Sequence, residues 1–169
     1  LKEGASGSSA GSCAVTAAGL LPFTLGSETL GSIVSPCTRC GVTGLRPTFG
    51  RVSRTGCMTL AWSMDKVGPI ARHVFDCGLV FSAIHGADGH DEAAIDRPFS
   101  WPLSGKLEHL KVGYVDDGRN IDKRSELNVL KKLGVQLIPI ELPGTNFPVA
   151  PLTTILEVEA ATAFDALTR

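Results

Sequence analysis

Two glycine- and serine-rich turns constrain this chain more than any other feature. The first is Gly4-Ala5-Ser6-Gly7-Ser8-Ser9-Ala10-Gly11-Ser12 and the second is Gly26-Ser27-Glu28-Thr29-Leu30-Gly31-Ser32. Alone, such a run reads as a flexible linker. What lies between the two argues otherwise. Ser12 to Ala18 reads as a short helix of small residues that Gly19 can stop. Leu20 to Leu25 reads as a buried strand. One helix and one strand can return the chain to the same edge of a sheet, which would bring Ser8 and Ser32 together.

The rest of the chain supports an α/β fold. Ile33 to Gly41 is apolar and starts with a helical turn, and Gly41 to Leu45 is a short apolar segment. Pro47 to Gly56 is turn-rich and carries Arg46, Arg51 and Arg54 in or beside it. Apolar residues at helical spacing predict a helix over Val74 to Ile84. Asp88 to Leu103 reads as a polar loop. Lys111 to Val115 and Val135 to Leu142 read as strands. Between them Asp122 to Leu133 is amphipathic, with Leu127, Leu130 and Leu133 on one face, Asp122 as N-cap and Gly134 just past the end. This strand–helix–strand run over 106–143 is the pattern of a parallel pair. A last helix is expected at about 155–168.

Composition narrows the function classes. The chain has 169 residues, 43% hydrophobic and 20% charged, with a net charge of −1. That is enough for one domain with a core. It offers no basic surface for direct contact with nucleic acid or an anionic membrane. The longest apolar stretch, Cys13 to Leu25, is broken by Thr16, Gly19 and Pro22 and falls short of a membrane span. No signal peptide is visible, although the chain begins with Leu1 rather than Met. The five cysteines are irregularly spaced and read as reduced packing thiols in a cytosolic setting. Cys37 and Cys40 form a C-x-x-C without the second pair that a structural zinc needs.

A serine hydroxyl is a weak nucleophile at neutral pH and needs a base. His73, His85, His90 and His109 all lie downstream, outside any triad motif. A serine–lysine arrangement is the other route. A phosphate-binding loop is disfavoured at Gly4 to Ser12, which lacks the Gly-Lys-Ser/Thr ending.

The order of motifs is more specific than any one of them. Gly7-Ser8-Ser9-Ala10-Gly11-Ser12, then Gly26 to Ile33, Cys40 to Arg54 and Ser63-Met64-Asp65-Lys66-Val67-Gly68-Pro69 together resemble the amidase signature family. The resemblance is firm over residues 4–90 and weaker to the end. It implies one partial domain over 1–169, an α/β fold with a mixed sheet flanked by helices. It also implies a Ser–cis-Ser–Lys triad. Ser32 matches the nucleophile and Ser8 the bridging serine after a cis Gly7–Ser8 bond. The backbone N–H groups of Thr29, Leu30, Gly31 and Ser32 match the oxyanion hole. No metal or cofactor is implied.

The family's lysine lies well upstream of its bridging serine. Lys2 is too near and Lys66 sits in another motif, so the base is expected outside these residues, in a chain truncated at both ends. The sequence departs from the common pattern at Glu28 (usually Asp), Leu30 (usually Gly) and Val34 (usually Arg). The activity implied is hydrolysis of a small-molecule, non-peptide amide in the cytoplasm, with a homodimer left open. The alternative is an A-type subunit of a tRNA-dependent amidotransferase, or a fragment without catalysis.

Overall fold

The computed structural model describes residues 4–102, 106–115, 118, 124–142 and 149–169. The chain forms two compact units, one of Leu1–Pro102 with Ala150–Arg169 and one of Leu103–Val149. Among the described residues no helix is long and apolar enough to cross a membrane.

In the first unit the order is α1 (Ala10–Ala17), β1 (Phe23–Glu28), α2 (Val34–Cys40), β2 (Thr43–Gly44), β3 (Lys66–Ala71), α3 (Val74–Ile84) and, from the far end of the sequence, α5 (Ala150–Thr168). The three strands form an antiparallel sheet in the order β1–β3–β2. Register runs from Phe23 opposite Ala71 to Glu28 opposite Lys66, and Gly44 lies opposite Ile70. The core joins Cys13 of α1, Ile33 and Cys37 at α2, and Ile70 of β3. The same four side chains therefore hold together the helices that follow both serine turns. All five cysteines are free, and Cys37 of the C-x-x-C is a core residue.

The first unit departs from expectation in two places. The strand expected at Leu20–Leu25 begins at Phe23, after Pro22, and is not buried: Leu20, Leu21, Phe23 and Leu25 are all exposed. Among the described residues strand β1 pairs on one side only, and its other edge is met by α1. There the Ser12 hydroxyl donates to Leu25 O at 2.9 Å and the Ser9 hydroxyl donates to Ser27 O at 3.0 Å. Side-chain hydroxyls thus satisfy backbone groups that a neighbouring strand would otherwise take. Strand β3 has no counterpart in the sequence pattern, because Gly68-Pro69 reads as a strand breaker. Here Pro69 O accepts from Leu45 N at 2.9 Å. Gly68 is required by proximity, since a Cβ there would meet Leu45 O at 2.0 Å.

The second unit follows the expected pattern closely. Strand β4 (Lys111–Val115) pairs in parallel with β5 (Gln136–Ile140), and α4 (Ser125–Lys132) connects them. Leu127 is buried and Gly134 takes φ +83°, ending the helix in a left-handed residue. The expected N-cap, Asp122, lies outside the described residues. The structure is thus mixed α/β, with its antiparallel and parallel pairings in separate small sheets.

Candidate active site

The two serine turns meet. Ser9 N donates to Ser32 O at 3.3 Å, and the hydroxyls of Ser6 and Ser35 are in hydrogen-bond contact. Gly7 lies so close that a Cβ would stand 2.9 Å from Ser32 Cα and 3.1 Å from Pro36 Cδ. Ser8 is exposed on this turn and Ser32 is half-buried beside it. No hydrogen bond joins their hydroxyls among the described residues. The expected cis bond before Ser8 is absent: the cis peptide among the described residues is Trp101–Pro102. The turn is made instead by Gly7 at φ +78°. A left-handed glycine has no Cβ to clash, whereas a non-proline cis bond costs about 2.5–4 kcal/mol.

Ser9 fastens the first turn to the sheet, a role that no motif in the sequence signals. Its hydroxyl donates to Ser27 O and accepts from Ser27 N at 3.2 Å, and it is 4% exposed. Ser9→Ala leaves both backbone groups of Ser27 without a partner and is expected to cost about 1–3 kcal/mol, read as a lower urea midpoint with an unchanged slope.

Between Glu28 and α2 the backbone has an uneven hydrogen-bond pattern. The carbonyls of Thr29, Gly31 and Ser32 accept from Lys66 Nζ, Ser35 N and Ser9 N respectively. Among the described residues the N–H groups of Thr29, Leu30, Gly31 and Ser32 find no acceptor. The turn needs glycine at position 31, where φ is +90°, and a Cβ there would meet nothing within 4 Å. The next two N–H groups, of Ile33 and Val34, donate to Glu28 Oε2 at 2.8 and 2.9 Å. Glu28 is 5% exposed and its other oxygen faces Arg46 Nε at 3.3 Å. The longer acid in place of aspartate therefore spans the loop and caps α2. Leu30 and Val34, the other two departures, are both exposed.

Thr29 is held from two sides by adjacent residues at the start of β3. Its hydroxyl donates to Asp65 Oδ1 at 2.5 Å, and Lys66 Nζ donates to its carbonyl at 3.1 Å. Asp65 Oδ2 is itself fixed by Leu60 N and Ala61 N. Burial pushes the Lys66 ammonium below its ordinary pKa; the charge of Arg46 adds to this, while Glu28 and Asp65 oppose it. Lys66 makes no bond to Ser8 or Ser32 among the described residues, in line with its place in a different motif.

Lys66 and Asp65 also line a cleft of about 290 Å³ with Ser27, Arg54, Cys57 and Trp62. Its rim is built by Arg54, which pairs with Asp91 through Nε at 2.8 Å and Nη2 at 2.9 Å and donates to Trp62 O. The Arg54 side-chain bond holds the Asp91 carboxyl well below the usual carboxylate range; burial opposes it, and bonds from Arg54 N and Ala93 N assist. A carboxyl depressed in the folded state adds stability above its unfolded pKa of about 4 and loses it as pH falls through the folded value. Asp91→Asn is therefore expected to lower stability at pH 7 by about 1–3 kcal/mol and to flatten its decline below about pH 4. Urea titrations from pH 7 to pH 2 check both. Farther along, Ser63 N donates to buried Glu159 of α5 at 3.0 Å, tying that helix to the motif that contains Asp65 and Lys66.

Known proteins share sequence and fold with this chain. The chain is 39% identical over 166 residues to the A subunit of glutamyl-tRNA(Gln) amidotransferase from Staphylococcus haemolyticus, covering 92% of this chain and 34% of that protein. It superposes on the A subunit of glutamyl-tRNA(Gln) amidotransferase from Thermotoga maritima with a TM-score of 0.77 at 32% identity, covering 92% of this chain and 37% of the other. For an amidase family protein from Bacillus anthracis the TM-score is 0.78 at 30% identity, covering 96% and 34%. The chain thus spans about a third of the length of these relatives. The model of the Amidase family matches residues 2–168, taking in both serine turns and the Asp65–Lys66 motif. By that match and these likenesses, the chain belongs to the Amidase family, a family of hydrolase-type enzymes.

Proposed function

We propose that these residues supply the nucleophile and oxyanion site of an amide-cleaving enzyme, of the kind found in the A-type subunit of an amidotransferase. The observation that carries it is the row of four N–H groups, Thr29 to Ser32, that find no acceptor among the described residues, ending on a serine that a second serine turn packs against. Ser32 Oγ attacks the amide carbonyl. Its proton passes to Ser8 and on to a neutral lysine from outside these residues. The C–N bond breaks, the nitrogen leaves with that proton, and water hydrolyses the acyl-Ser32 ester. Donors already aimed at the oxyanion are worth about 3–4 kcal/mol each in such a reaction. No cofactor is needed for this chemistry.

The amidotransferase reading is favoured by the 39% identity to a protein of that kind; among the solved structures the identities are similar, 32% for the A subunit and 30% for the amidase family protein. Such a subunit works with partner proteins. The net charge of −1 fits contact with nucleic acid through them rather than directly. The second reading is a self-sufficient amidase for a small non-peptide amide. It is favoured by exposed Leu30, an apolar side chain in the nucleophile loop where the family commonly has glycine. Purification of the full-length protein from its native host, followed by amide hydrolysis assays with and without what co-purifies, separates the two. The amidotransferase reading predicts stable partners that raise the rate. A protein that purifies alone and turns over small amides at full rate would contradict it.

A further inference from the structure

The grip on Thr29 has a geometric consequence for catalysis. The Thr29–Leu30 peptide is trans, so its C=O and N–H point to opposite sides. Lys66 Nζ takes the carbonyl at 3.1 Å, which fixes the side toward which the Leu30 N–H is aimed. Asp65 holds the Thr29 hydroxyl of the same residue, while its other oxygen accepts from Leu60 N and Ala61 N. The ladder adds the third restraint, since Lys66 stands opposite Glu28, the residue before Thr29. Thr29 is 8% exposed, and the two bonds that hold it are part-buried.

We propose that Lys66 is a positioning residue for the oxyanion site: by holding the Thr29 carbonyl, with Asp65 holding the hydroxyl, it directs the Leu30 N–H toward the carbonyl oxygen attacked by Ser32. Lys66 makes no bond to Ser32 among the described residues and serves as a hydrogen-bond donor to the Thr29 carbonyl, which both a charged and a neutral amine can do. The inference rests on the proposed role of Ser32. It assigns the start of β3 a part in transition-state stabilisation that its place in the sheet would not require.

Lys66→Met keeps the length of the side chain and removes the donor, whereas Lys66→Arg keeps a donor. Full-length protein carrying each is assayed for kcat and KM on a primary amide and for inhibition by an alkylboronic acid, whose tetrahedral serine adduct places an oxygen in the oxyanion position. The expected result for Lys66→Met is a kcat about 10²-fold lower, with KM within twofold. Boronate inhibition should weaken in parallel, and Lys66→Arg should recover most of the loss. Lys66→Leu replaces the Met variant if that fails to accumulate. Near-normal kcat in the Met or Leu variant while Ser32→Ala is inactive overturns this inference alone, as does a change confined to KM or an equal loss in Lys66→Arg. Undiminished turnover in Ser32→Ala removes both this inference and the reading beneath it.

Discussion

Ser32→Ala in the full-length protein is expected to lower amide hydrolysis by roughly 10⁴-fold or more, because a nucleophile cannot be replaced by its neighbours. Stability should hardly change. The Ser32 carbonyl, which the mutation leaves in place, is what joins the two turns. Ser9, one residue from the proposed bridging serine, should show the opposite balance. Its hydroxyl is bound on both sides to Ser27, so its loss should lower mainly stability. Ser8→Ala should resemble Ser32→Ala in direction, since its hydroxyl has no structural bond among the described residues. Urea denaturation and steady-state rates on all three variants check the pattern.

The second large effect is expected at Glu28. Glu28→Ala removes the acceptor of two N–H groups, those of Ile33 and Val34, and leaves Arg46 without its acid. Losing one buried and one part-buried acceptor bond at the start of a helix is worth about 2–4 kcal/mol. The Arg46 contact adds little, because Arg46 is 44% exposed and such pairs contribute about 0–1 kcal/mol. Glu28→Gln tests this division. Its amide oxygen still accepts from both N–H groups while the charge is gone, so it should cost about 1 kcal/mol or less. The Ala variant should also lose activity through the nucleophile loop, since N–H groups left without Glu28 are free to pull α2 and Ser32 out of line. Denaturation midpoints of the 169-residue chain measure the first effect, and rates in the full-length protein the second.

Parts of this architecture are legible in the sequence, for identifiable reasons. Helix α3 and the strands β4 and β5 carry strong periodic patterns, and they stand within two residues of where the pattern puts them. The meeting of the Ser8 and Ser32 turns follows from a helix and a strand between them. Strand β3 is hidden because Gly68 and Pro69 are poor strand formers, and Gly68 is needed there by the chain at Leu45 to Pro47 crossing against it. The start of β1 differs because apolar Leu20 and Leu21 suggest burial, yet both are exposed.

At the site, the family resemblance points to Ser8, Ser32 and the 29–32 backbone. It does not point to what holds that backbone. Ser9, Glu28, Asp65 and Lys66 act through contacts 5 to 37 residues away in sequence, and hydrogen bonds at that range leave no periodic signal. In the sequence Glu28 stands out only as a departure from the usual aspartate. Its length is what lets one carboxylate serve both the helix and Arg46.

An acyl group carried by Ser32 is the central claim. The direct measurement is acid quench of the full-length protein during turnover of a slowly deacylating amide or ester, followed by peptide mass spectrometry. The expected result is one added acyl mass on the peptide containing Ser32, lost in Ser32→Ala. An acyl group found on another residue, or undiminished turnover by Ser32→Ala, would contradict it.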